Sequence, residues 1–182
     1  MMRRLKYSGI GGVVVYWLFV AWSMGKNPWF SFWSNALSDL GSPEMARAPG
    51  IYNYGLVITA VFMLAFSVYL MLSAENKPQT VGGAYVSISA IFLALIGVFH
   101  AGTRPHGFVS TYFFVQFFLG MLIYGTGSKD RVIRYGSGLL FALAVPGTLI
   151  SWSSVALIET YEIALIAVFT LVVALKNGNE ST

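Results

Sequence analysis

The sequence predicts an all-α integral membrane protein, a bundle of six helices in three hairpins with a short interfacial helix after the first span. Three observations predict it. Of 182 residues, 57% are hydrophobic and only 10% are charged, where a soluble domain carries about 25% charged residues. Apolar stretches long enough to cross a hydrocarbon core of about 30 Å recur six times. Polar and turn-forming residues gather between these stretches. A single transmembrane domain covering residues 1–182 accommodates them.

The first span is read at residues 8–24, behind a basic flank of Arg3, Arg4 and Lys6. This N-terminal pattern resembles a signal peptide, with Ala21 and Ser23 placed for cleavage, but it is read here as a retained helix. Gly9, Gly11 and Gly12 suit close approach of a neighbouring helix. Residues 25–50 form the longest connection. Trp29, Trp33, Leu37 and Leu40 recur at helical spacing, which predicts the interfacial helix, stopped by Gly41 and Pro43.

The second span is read at 51–72, with Asn53 in its first turn, and the third at 81–99. His100 to Gly107 makes a reversal punctuated by Gly102, Pro105 and Gly107. The fourth span is read at 108–124 and the fifth at 137–154, the latter kinked by Pro146. The sixth covers 155–175, and a polar tail occupies 176–182.

Charge sets the orientation. With the N-terminus inside, the inner segments hold eight basic residues: Arg3, Arg4, Lys6, Lys77, Lys129, Arg131, Arg134 and Lys176. The outer segments hold three, Lys26, Arg47 and Arg104. That bias predicts a cell-membrane protein with both termini cytoplasmic. The basic residues are scattered, so no nucleic-acid patch is present. The absence of cysteine excludes disulfides and thiolate chemistry. The inner halves of the spans carry almost no ionisable groups, which argues against ion passage.

On this topology the unusual polar residues share the outer face. Glu162 would lie about 9 Å below the outer boundary, where a carboxylate needs a partner or a proton. It reads as a site carboxylate or as a structural acid, with Glu159 one turn above. Asp39 and Ser38 read as an acid and its hydrogen-bond partner, or as the end of the interfacial helix. His100 and His106 bound one turn at a spacing that does not share a helix face. A converging loop would let His106, His100 and Asp39 ligate zinc; backbone-bonded histidines are the simpler reading. Asn35, Asn53, Arg104 and Glu159 complete the cluster. Asn53 suits a cap or an interhelical bond; Arg104 suits a carboxylate or a lipid phosphate, with a plain interfacial arginine the simpler reading.

The run Asn35-Ala-Leu-Ser38-Asp39-Leu-Gly41, followed by Tyr52-Asn53-Tyr-Gly55, resembles the prokaryotic membrane family called domain of unknown function 998. Phe99, His106 and Glu162 match further positions of that pattern, and His100 stands where the family has proline. The resemblance implies a six-helix fold and no established activity. More distantly, a serine and aspartate followed by histidines is similar to the alkaline ceramidase and adiponectin receptor superfamily. That likeness implies a zinc-dependent amide hydrolase with three histidines, where this chain has two.

Two functions follow. The first is a membrane protein whose outward polar cluster binds or handles a lipid or amphiphile headgroup, with membrane lipids as its partners, or holds the hairpins together. The alternative is a metal-dependent hydrolase of a lipid amide or ester. There a metal-bound water would attack the acyl carbon, with Glu162 or Asp39 as general base and Ser38 beside it.

Overall fold

The computed structural model describes residues 2–176, all helix and connection with no strand among them. Beyond Lys176 the expected polar tail lies outside the described residues. A short α1 (Met2–Leu5) precedes α2 (Ser8–Lys26), α3 (Pro49–Leu72), α4 (Lys77–Val98), α5 (His106–Gly127), α6 (Arg131–Gly147) and α7 (Val155–Lys176).

Helix starts follow local chemistry. Pro49 opens α3, where its missing N–H costs nothing. Asn76 caps α4, its Oδ1 accepting from Gln79 N at 3.1 Å. Asp130 caps α6 by accepting from Val132 N at 2.7 Å and Ile133 N at 3.1 Å. Ser154 serves α7, its Oγ accepting from Leu157 N at 3.3 Å. Such caps are worth about 1 kcal/mol each.

Five helices, α2 to α5 and α7, are long and apolar enough to cross a membrane. Large apolar side chains stand exposed on them, among them Leu18, Val61, Ile91 and Leu175, as lipid-facing helices require. The sixth helix differs from its expected position. The sequence predicts the fifth span over 137–154, but α6 covers Arg131–Gly147. Asp130 starts it early, and it stops at Gly147, one residue past Pro146; proline is a residue that helix interiors tolerate poorly. At 17 residues it measures about 26 Å, and irregular chain covers 148–154.

Consecutive helices pack against each other, α4 most closely with both α3 and α5, and α7 closes back onto α2. The pairs α2–α3, α4–α5 and α6–α7 each pack as hairpins, and α3–α4 and α5–α6 join them in series. The backbones of α4 and α5 touch where Gly82 faces Gly120; a Cβ on Gly82 would lie 2.7 Å from the Gly120 carbonyl oxygen. Gly9 and Gly12 admit neighbours as expected: a Cβ on Gly9 would meet Thr170 of α7 at 2.9 Å, and one on Gly12 would meet Phe62 of α3 at 3.1 Å. In the half of the bundle near Gly82, Phe169 of α7 is buried edge-on against Phe66, Phe117 and Tyr124, at centroid distances of 6.2, 6.1 and 6.3 Å, a favoured aromatic geometry.

The interfacial helix does not form as expected. Residues 27–36 make successive turns, and only Leu37–Gly41 is helical, as a single 3-10 segment. Asn35 and Asp39 explain this. Their side chains accept from Ser31 N at 2.9 Å and Ala36 N at 2.9 Å, taking backbone donors that a helix would use. Trp33 is consequently 71% exposed while Leu37 and Leu40 are fully buried.

Candidate functional site

Residues 27–48 fold into a cap over one end of the bundle. Asn27, 1% exposed, closes the cap at its base. Its Nδ2 donates to Ser23 O at 2.8 Å, and its Oδ1 accepts from Arg47 N at 2.8 Å and Trp29 Nε1 at 3.3 Å. The two ends of the connection are thereby tied together. Asn53 holds the middle, donating from Nδ2 to Gly41 O at 2.9 Å, and Gly41 lies so close to Asn53 that a Cβ would not fit.

The cap is then fastened to the start of α7. Ser154 Oγ donates to Phe32 O. Ala156 N donates to Asn35 O at 2.9 Å, and Leu37 N donates to Glu159 Oε2 at 2.7 Å. The Ala156 N–H belongs to the first turn of α7, where helix donors lack internal acceptors, so the cap satisfies a group that would otherwise be orphaned.

Beneath the cap a cavity of about 690 Å³ opens between α5, α6 and α7. Ser38 roofs it. From α5 come His106, Ser110, Thr111, Phe114 and Phe118; from α6 Phe141, Ala144 and Val145; from α7 Ile158, Glu159 and Glu162. A smaller chamber of about 50 Å³ shares Ser38, His106, Ser110, Phe114 and Glu159 with it and reaches Tyr16 and Tyr52. Those two tyrosines are buried, their hydroxyls 3.4 Å apart.

Of the residues singled out from the sequence, Ser38, His106, Glu159 and Glu162 come together on the cavity wall. Glu162 is 6% exposed, and no hydrogen-bond donor reaches its carboxylate among the described residues. The Ser38 hydroxyl is likewise unused there. His106 Nδ1 lies 2.8 Å from Phe99 O. A carbonyl cannot donate, so Nδ1 carries the proton, and in the neutral ring Nε2 is left as an acceptor.

The others stand apart from the cavity. Asp39 accepts from Ala36 N at 2.9 Å and from Asn35 Nδ2 at 3.4 Å, so it organises the 3-10 segment. Asn35 and Asn53 hold the cap, as described. His100 Nδ1 lies 2.9 Å from its neighbouring carbonyl, Ala101 O. Arg104 is exposed and makes no ion pair among the described residues. The proposed ligand set of His106, His100 and Asp39 is not gathered. Among the described residues no three His, Asp or Glu side chains are grouped to hold a metal ion, so the zinc chemistry does not fit this arrangement.

Sequence reasoning missed Asn27, Tyr16 and the cap-holding role of Glu159. Asparagine at a helix end reads as an ordinary stop, and a tyrosine in an apolar span reads as packing. Only Tyr52 left a signal, as part of the Tyr52-Asn53-Tyr-Gly55 run.

No curated protein and no solved structure matched the chain. The likeness to alkaline ceramidases accordingly gained no support. The pattern of the family described as Protein of unknown function (DUF998) matches residues 10–176, nearly the whole chain and with it every helix lining the cavity, so the protein belongs to that family.

Proposed function

We propose that this protein is a multi-pass membrane protein that takes an amphiphile into the cavity between α5, α6 and α7, with the polar head under the cap and the tail along Phe114, Phe118 and Phe141. The polarity gradient of the wall carries this reading. Along α5 the lining runs from His106, Ser110 and Thr111 to Phe114, Phe118 and Leu119, a distance of about 20 Å. The volume lies within the range of about 300–1,000 Å³ common for ligand sites.

The positive-inside bias supports an orientation with both termini cytoplasmic and the cap on the outer face of the cell membrane. Cysteines at the exposed positions Glu44 and Lys77 test it. An impermeant thiol reagent on intact cells is expected to label the first and spare the second; the opposite pattern inverts the topology.

A photoreactive alkyl amphiphile in lipid nanodiscs tests the cavity. Labelling is expected to concentrate on residues 114–118 and 141–145 over the lipid-facing Ile88 and Ile91 of α4. Even labelling of all the exposed helix faces would remove the proposal.

A further inference from the structure

A bilayer already solvates an alkyl tail, so burying the tail in this cavity gains little. Selection therefore falls to the head. The lining holds Glu159 and Glu162 and no lysine or arginine. The nearest candidate cation by sequence, Arg104, is exposed and is not part of the wall. An anionic head would face two carboxylates with nothing to neutralise it.

Glu162 is the second, independent observation. It is 94% buried, lines the cavity and has no protein partner among the described residues. A buried carboxyl in that position calls for a cation, a hydrogen-bond partner or its own proton, and the first two are what a ligand head can bring. Glu159, at i−3 on the same helix, lies within reach of the same ligand. It spends Oε2 on Leu37 N and keeps its other oxygen. Ser38 adds an unused hydroxyl and His106 a ring nitrogen. An ammonium head presents three donors and one positive charge, and one oxygen from each of Glu162 and Glu159 with either neutral acceptor, Ser38 or His106, supplies three acceptors for it.

We infer that the cavity selects amphiphiles whose head is an unphosphorylated amine, held between Glu162 and Glu159. The inference rests on the amphiphile reading above and narrows it. A phosphoethanolamine head carries the same amine beside a phosphate, and the wall offers that phosphate no cation.

Competition against the photoreactive alkyl label tests this, with probes of one chain length: dodecylamine, dodecanol, dodecanoate and dodecanoyl lysophosphatidylethanolamine. Dodecylamine is expected to displace the label at about tenfold lower concentration than dodecanol, as a charge-assisted hydrogen bond replaces a neutral one. Dodecanoate and the lysophospholipid are expected to do no better than dodecanol. In Glu162→Gln the amine's advantage should fall to about twofold or less, with dodecanol unchanged as the control for an intact cavity.

Equal competition by dodecanol and dodecylamine in the parent protein overturns the amine selection without needing any variant. So does an advantage that survives Glu162→Gln. Competition by the lysophospholipid equal to that of dodecylamine overturns the exclusion of phosphate. In each of these cases the label still sits in the cavity, and the broader amphiphile reading stands. Labelling that never concentrates there removes both.

Discussion

The two ends of the bundle use polar residues in opposite ways. At the end away from the cap, the short turns at 73–76 and 128–130 satisfy themselves. Asn76 caps α4 and donates from Nδ2 to Gly127 O at 2.7 Å. Gln79 Oε1 accepts from Glu75 N at 2.7 Å, and Arg134 Nε donates to Ser128 O at 2.8 Å. Glu75 pairs with Lys129 at 2.7 Å on the surface, where an ion pair contributes little. The cap end spends Asn27, Asn35, Asp39, Asn53 and one oxygen of Glu159 on holding the cap. It leaves Glu162 and Ser38 unused on a cavity wall. Polarity at a helix end therefore says where a turn lies. Only an account of which bonds are made separates scaffold from candidate site.

The largest expected effect breaks this contrast at its packing. Gly82→Leu should abolish folding, because even a Cβ there meets the backbone of Tyr124 and Gly120, which cannot give way. Val145→Trp, on the cavity wall and 47% exposed, should yield a monodisperse protein of near-parent melting temperature in detergent. If both variants fold, the helices near Gly82 are not the close-packed half.

A medium effect compares the two asparagines. Asn27→Ala strips partners from buried groups, each worth about 1–3 kcal/mol, and should open the cap to protease. Asn76→Ala should cost less, about 1 kcal/mol for a lost cap, with the cap still resistant. Melting temperature and cleavage near Arg47 measure both, and equal protection of the cap in the two variants contradicts the role given to Asn27.

The smallest effect separates the two glutamates. Glu159→Leu removes the acceptor of Leu37 N and should cost about 1–3 kcal/mol. Glu162→Leu removes a buried carboxylate that no protein group answers, so stability should hold or rise slightly. A larger fall for Glu162→Leu than for Glu159→Leu would make Glu162 a structural residue.

The long apolar helices were legible because hydropathy over about 20 residues is a strong signal. The ends of α6 were not, since Arg131 and Arg134 read as loop while they form its first turn, and Pro146 reads as a kink inside a longer span while the helix stops at Gly147. The cap was legible as a polar, aromatic connection. Its fold was not, because Asn35 and Asp39 act through bonds to backbone N–H groups that helical spacing does not reveal. For the cavity, His106, Ser38 and both glutamates stood out as polar residues near apolar spans. Asp39 and Asn53 stood out for the same reason and do other work.

The bonds Leu37–Glu159 and Ser154–Phe32 each join positions 122 residues apart. During synthesis the first connection emerges long before the last helix, and for that interval its Leu37 N–H has no Glu159 to meet. The roof of the cavity thus waits on the final helix to enter the membrane. A ribosome-bound or truncated chain lacking α7 would hold the helices that precede it and yet have neither the fastened roof nor the α7 wall of the cavity.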